Sequence, residues 1–353
     1  MPVLMEETKI LPSSNNFHIK NIQEKLKQND YDGMLIFNFN NIFYLSGYLP
    51  TSFAVLLITE NPIIYVAEMD MEIANKNSSI KIKKFESFNK ILKTLEKENI
   101  KNIAIEADLP VNIYKKFNTL TLNIESYINQ ERSIKSNEEI TKINKALNIA
   151  HKSILELNPR EKQEKGLTEW ETAYELGYLM RKNGAQTESF ETIVASGPNS
   201  SLPHAVVSNK KLDPHILIDY GCKYEGYCSD TTRTYPNTEK EEEIFNIVLE
   251  AYQTAIKTVK NGIKASEVDK TARNIITEYG YADKFIHSTG HSLGLDIHES
   301  PNISIKDDTI LENNMLITIE PGIYLKGEFG VRIEDTILID GKAKVLGNLP
   351  TKL

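Results

Sequence analysis

Ile216-Leu217-Ile218-Asp219-Tyr220-Gly221 and Asp230-Thr231-Thr232-Arg233-Thr234-Tyr235 are two β-prone stretches, and each carries one aspartate. The first is a short apolar run, beginning at His215, that stops at a glycine, as a buried strand does where it enters a turn. The second is rich in threonine, a residue that suits a pleated surface. Gly226 lies in the tyrosine-rich connector between them, so the pair reads as a hairpin that brings Asp219 and Asp230 together. A carboxylate set among apolar residues is costly to bury without a counter-charge.

Three further segments repeat the theme. Glu320 closes the strand-like Met315-Leu316-Ile317-Thr318-Ile319 and is followed by Pro321-Gly322, so its carboxylate projects from a strand end. In Gly330-Val331-Arg332-Ile333-Glu334-Asp335-Thr336 a period of two puts Arg332, Glu334 and Thr336 on one face, with Asp335 opposite. An arginine there is placed to hold an anionic group. His291 lies in Phe285 to Glu299, a segment that also holds His287 and His298, three of the chain's seven histidines. Each feature alone has an ordinary explanation as a turn or a structural side chain. Together, four carboxylates and one imidazole are the donor mixture that oxygen-preferring divalent metals take, which points to a metal-dependent hydrolase.

These residues resemble the pita-bread metallopeptidases, the family of methionine aminopeptidase, aminopeptidase P and prolidase. The resemblance runs through Asp219-Tyr220-Gly221, Ser229 to Thr234, His287 to Glu299, Thr318 to Gly322 and Val331 to Asp335, about two hundred residues in order. Ala195 to Ala205, with His204, is similar to the segment bearing a substrate-facing histidine in Xaa-Pro peptidases, and His287, His298 and Arg332 fit the same group. Ser288 and Ser292 depart from the glycines of many relatives near His291, which concerns loop shape more than ligation.

The resemblance implies an α+β pita-bread catalytic domain preceded by a smaller α/β domain of creatinase type. It implies two divalent ions per subunit, manganese or cobalt first, with zinc or iron tolerated. Asp219 and Asp230 would hold one ion, His291 and Glu320 the other, and Asp230 and Glu334 would bridge. Glu320 would carry the proton to the leaving prolyl nitrogen. His204 and His298 would hydrogen-bond the substrate or the tetrahedral species, while His287 and Arg332 would place it, Arg332 on a proline carboxylate. A homodimer is expected on the same basis.

The rest of the chain is consistent with this. A length of 353 residues suggests two domains. They are expected at 1–130 and 131–353. Met34 to Phe39, Phe53 to Thr59, Ile63 to Ala67 and Ile103 to Glu106 read as strands and Asn21 to Gln28 as helix. Ser136 with Glu139 is a capping box, and Ile140, Ile143, Leu147, Ala150, Ile154 and Leu157 follow at helical spacing. Thr168 with Glu171 and Ser266 with Asp269 repeat the signature, and Gly184 and Gly280 read as C-terminal stops. Trp170 reads as a packing residue.

A net charge of −8 and a pI near 5.6 argue against a nucleic-acid partner. Cys222 and Cys228 are too few for a disulfide framework and read as small buried thiols. No apolar run reaches membrane-spanning length and no early segment has signal-peptide form, so no membrane partner and a cytoplasmic location are expected. Three activities compete: hydrolysis of Xaa-Pro dipeptides, removal of the residue before proline from longer peptides as in aminopeptidase P, and a binding-only or non-peptidase member of the fold. The presence of all five ligand positions sets the third last. The sequence does not separate the first two.

Overall fold

In the computed structural model, which describes residues 13–352, the chain divides into two compact units between Glu131 and Arg132. The first is built on a six-stranded mixed sheet in the order Lys81–Lys84, Ile63–Val66, Ala54–Ile58, Gly33–Ile36, Asn102–Ile105, Thr121–Ile124. Every residue of the two middle strands Gly33–Ile36 and Ala54–Ile58 is buried. Leu35, Val55, Leu57 and Ile103 pack with Ile91, Leu95 and Phe117 on one face of it.

The four expected strands are present, but Met34 to Phe39 is shorter than its apolar run suggests. Buried Glu106 accepts the backbone N–H groups of Phe37 at 2.7 Å and Asn38 at 3.0 Å, and the Asn41 side-chain amide at 2.6 Å. That captures the donors a longer strand would need. Asn38 then caps the helix Phe39–Ser46. The edge strands Lys81–Lys84 and Thr121–Ile124 were not foreseen, because neither holds a fully buried residue and each lacks an apolar run.

The second unit uses one plan twice, a pair of helices packed over β-structure. Helices Asn137–Leu157 and Glu169–Lys182 cover the strands Ile193–Ser196, Ile216–Tyr220 and Thr231–Tyr235, with Ile154, Leu176, Met180, Val194, Ile216 and Ile218 in the shared core. Helices Glu239–Thr258 and Ala265–Glu278 cover a five-stranded sheet that includes Gly290–Ser292, Leu316–Ile319 and Asp335–Asp340. Phe245, Val248, Ile276, Ile317, Ile319, Ile337 and Ile339 fill that core. Burying each such side chain is worth roughly 1.5–3 kcal/mol.

Capping boxes start the helices at Ser136 and Thr168 as expected, and a third, at Thr238 with Glu241, escaped the sequence reading. Ser266 with Asp269 is not a cap. The helix begins one residue earlier, Ser266 donates to Asp308 at 2.7 Å, and Asp269 points inward to Thr289. Gly184 and Gly280 stand just past helix ends. Trp170 is half exposed and stacks edge-on against Tyr174, so it belongs to the surface and not the core. Cys222 and Cys228 are free, buried thiols. No helix among the described residues is long and apolar enough to cross a membrane.

His151, on the first of these helices, is buried and its Nε2 lies 3.1 Å from the Thr231 hydroxyl. Because that hydroxyl donates to the Asp230 carbonyl at 2.7 Å, Nε2–H is the donor and the ring is neutral. Burial, aided by the positive charge of Arg233, lowers its pKa to about 3. The unfolded imidazole, with a pKa of about 6.5, therefore binds more protons below that pH than the folded one. The stability held by the neutral ring is full above pH 6.5 and is lost as the pH falls toward 3. Thermal unfolding from pH 7 to pH 4 should show a smaller loss of Tm for His151→Gln than for the unsubstituted protein.

Candidate metal centre and substrate pocket

Asp219 and Asp230 come together through one antiparallel ladder. Asp219 pairs with Thr232 on one side and Ile193 on the other. The connector turns at Glu225 and Gly226, both at positive φ, as a two-residue hairpin with right-handed twist requires. Gly221 is needed for a different reason. A Cβ there would lie 1.9 Å from the Ser229 carbonyl oxygen, so any side chain would force the two aspartate-bearing segments apart.

His291 sits on the short strand Gly290–Ser292, and Glu320 just beyond Leu316–Ile319, where its backbone N–H donates to the Thr289 carbonyl at 2.8 Å. Glu334 lies in the break between Phe329–Arg332 and Asp335–Asp340, where the chain passes from a two-stranded hairpin into the larger sheet. Arg332, Glu334 and Thr336 nonetheless point the same way. Arg332 bonds Asp219, Glu334 accepts from Thr232, and Thr336 donates to the Asp230 carbonyl.

All five sequence-derived ligand candidates meet in one cavity of about 480 Å³, lined also by His204, His287, His298 and Arg332. Asp230, His291 and Glu334 each offer a donor atom within 4.8 Å of the others. His291 Nε2 is 3.5 Å from both Asp230 Oδ2 and Glu320 Oε1. Its Nδ1 lies 3.0 Å from the Ser292 carbonyl, which takes the Nδ1 proton and leaves Nε2 as the lone-pair donor facing the carboxylates.

The charge balance of this group fits a cation. Burial first, and then Asp219 and Glu320, push the Asp230 carboxyl well above its usual range; burial and Asp230 do the same to Glu334. Burial lifts Glu320 to about 7, although Arg332 opposes the rise. The buried Oδ1 of Asp219 has no hydrogen-bond partner. A single arginine, already paired with Asp219 at 2.6 Å, is too little positive charge for four carboxylates. Divalent cations at this place would offset the repulsion and take the orphaned oxygen.

Arg332 is more committed than the sequence suggests. Its Nη2 holds Asp219, its Nη1 donates to the Tyr324 hydroxyl at 2.7 Å and its Nε to Thr232 at 3.0 Å. Tyr324 continues the chain to His287 Nε2 at 3.0 Å, and His287 Nδ1 is 2.7 Å from the Ser288 carbonyl. His287 is thereby fixed as the Nδ1–H tautomer, and burial with the nearby Arg332 lowers its pKa to about 3. His204 and His298 are exposed to the cavity. The His298 ring packs at 4.4 Å, edge to face, on His291. Asp335 faces away, bonding Arg233 and Tyr252 at 2.7 and 2.6 Å.

Sequence reading missed the residues that hold the loops. Glu299, directly after His298 and with its side chain 7% exposed, is bound by Arg132 and, at 3.2 Å, by Lys135, and Lys135 also donates to Ser292 at 3.0 Å. The two ends of the His291 to His298 loop are thus fastened to one cationic pair. Thr232, Arg132 and Lys135 carry no local signal, since they meet Glu334, Glu299 and Ser292 across long chain separations, and Tyr324 meets Arg332 across a hairpin but His287 from far along the chain.

The model of metallopeptidase family M24 matches residues 138–341, and that of the creatinase/prolidase N-terminal domain residues 18–134. Over 336 residues the chain is 43% identical to an Xaa-Pro dipeptidase of Pyrococcus horikoshii, covering 92% of this chain and 94% of that protein. The crystal structure of the prolidase from Pyrococcus horikoshii OT3 superposes with a TM-score of 0.89 at 41% identity, covering 96% of this chain and 100% of that one. An X-Pro aminopeptidase from Thermotoga maritima gives 0.87 at 34% identity, with 95% and 98% covered.

Because cations would offset the crowded carboxylates, stripping metal with a chelator and adding back a divalent metal should stabilise the fold by about 2.7 kcal/mol at a hundred times Kd and so raise Tm. Asp230→Asn should leave the metal-free protein as stable or more so while abolishing most of that rise. Differential scanning calorimetry with and without metal checks both.

Proposed function

The chain belongs to metallopeptidase family M24 and carries a creatinase/prolidase N-terminal domain, and from that premise we propose that it hydrolyses Xaa-Pro dipeptides at the bond preceding proline. The observation that carries this reading is the arrangement of four carboxylates and His291 with three further histidines around one cavity, in a chain 43% identical to an Xaa-Pro dipeptidase. About 480 Å³ lies within the roughly 300–1,000 Å³ of small-molecule sites.

In this reading Asp219 and Asp230 would hold one divalent ion and His291 and Glu320 the other, with Glu334 completing the set. Bound there, such ions acidify water and polarise the scissile carbonyl. Manganese or cobalt suits the oxygen-rich set best, with zinc or iron able to replace them.

The chain's own groups do the rest. Asp219 is kept in register by Arg332, and Glu334 by the Thr232 hydroxyl at 2.7 Å. Glu320, on the cavity wall, takes a proton from the nucleophile and passes it to the leaving prolyl nitrogen. His204 and His298 donate hydrogen bonds to the oxygen on which negative charge develops. His287 is fixed by Tyr324 and presents one face to the substrate. Since three of the five N–H groups of Arg332 are bonded to Thr232, Tyr324 and Asp219, its contribution to a proline carboxylate is chiefly the field of its positive charge. The enzyme would work in the cytoplasm as a homodimer.

Aminopeptidase P action on longer peptides is the second reading, favoured by the superposition on an X-Pro aminopeptidase. Proline release from Ala-Pro and Met-Pro by metal-loaded protein, with Ala-Pro-Ala intact, is the expected outcome. Cleavage of Ala-Pro-Ala after its first residue would move the assignment to the aminopeptidase, and inactivity on all three with every metal would overturn both. His298→Ala should lower kcat by on the order of 100-fold, as loss of an oxyanion donor does, with metal content unchanged.

A further inference from the structure

We propose that Glu169, which lies outside the metal centre, is a positioning residue for this reaction: it closes the loop that carries His204 and so fixes where that imidazole stands in the pocket. The proposal rests on the Xaa-Pro peptidase reading for its substrate. His204 is exposed to the cavity and belongs to a stretch, residues 202–208, that is neither helix nor strand. Its place must come from the bonds that hold the segment, above all at its ends.

Both ends converge on one carboxylate. Glu169 Oε1 accepts the backbone N–H of Ser196 at 2.8 Å and its hydroxyl at 3.1 Å. Oε2 accepts the Asn199 amide at 2.9 Å, the Ser208 backbone N–H at 3.0 Å and the Ser208 hydroxyl at 2.7 Å. Glu169 is 1% exposed, so it has exchanged water for these five neutral donors. Ser196 ends the strand that enters the loop, Ser208 begins the exit, and Asn199 lies inside it and also donates to the Val206 carbonyl at 3.2 Å.

The anchor is itself rigid. Glu169 is the first residue of the helix Glu169–Lys182, set by the Thr168–Glu171 capping box, and its backbone N–H donates to Lys210 at 3.0 Å. The opposite side of the loop docks on the strand next to the metal centre. There the Gly330 N–H donates to Ser200 at 3.0 Å, and Arg332 Nη1 lies 3.5 Å from the Pro203 carbonyl. His204 thus hangs between a buried carboxylate on one side and the Arg332 strand on the other. A carboxylate accepts at both oxygens, whereas a glutamine would present an NH₂ group to at least two of the five donors.

The test is a double-mutant cycle of Glu169→Gln and His204→Ala on the metal-loaded protein with Ala-Pro as substrate, together with hydrogen exchange over residues 197–208 and metal analysis. If Glu169 acts through His204, Glu169→Gln lowers kcat/KM by roughly tenfold to a hundredfold alone, and by less than about twofold when His204 is already alanine. Exchange in the loop accelerates, while exchange in strand Ile216–Tyr220 and the metal content stay as they were. Equal losses in both backgrounds, no loss at all, or unchanged exchange in the loop would overturn the proposal. Should Glu169→Gln fail to fold, Ser208→Ala removes one of the same bonds and enters the same cycle. Failure of the unsubstituted protein to cleave any Xaa-Pro peptide would sink the peptidase reading, and the exchange comparison would still decide whether Glu169 clasps the loop.

Discussion

Holding Asp219, Asp230, Glu320 and Glu334 in one cavity is the constraint on which the rest of the catalytic unit depends. Like charges brought together away from water repel, and burial first, with this repulsion added to it, raises the pKa of Asp230, Glu320 and Glu334. Left to itself such a group would move apart or take up protons. The fold opposes separation with backbone geometry: a ladder that sets Asp219 against Thr232, a glycine where no Cβ fits, and strand ends that stop where a carboxylate is needed.

Around that core the polar residues divide the work. Threonines 232, 318 and 336 supply hydroxyls to carboxylates or to their backbone. Arg332 neutralises part of the charge at Asp219 and links it through Tyr324 to His287. Buried Arg233 ties the Thr232 and Glu334 carbonyls to Asp335 and so holds together the two segments that carry Asp230 and Glu334. Removing one member of such a network leaves a buried partner unsatisfied, which costs more than the bond itself contributes. These bonds hold the carboxylates in an arrangement whose charge divalent cations would complete.

Two loops that bring histidines to the cavity are fastened from outside the centre. Glu299, with Arg132 and Lys135, fixes the loop ending in His298. Glu169 closes the one bearing His204. In each case a buried acid next to the loop, with no contact to the cavity, sets a histidine that does reach it.

The sequence by itself determined the family, the two-part architecture and the five residues now found around one cavity, because ligand strands are marked locally: an acid at the end of an apolar run, next to a glycine or proline, is visible without the fold. It also marked the capping boxes at Ser136 and Thr168, whose partners are three residues apart. It misplaced one at Ser266, since serine with an acid three residues on has the same pattern whether the acid turns back to cap or inward to Thr289. Only the tertiary structure decided that Glu106 ends a strand at Ile36, that N–H groups of Arg332 are bonded to Thr232, Tyr324 and Asp219, and that Glu169 and Lys135 bind the segments next to His204 and His298. Those roles rest on hydrogen bonds between residues far apart in the chain, and a side chain's partner across such a distance leaves no periodicity or spacing for the sequence to display.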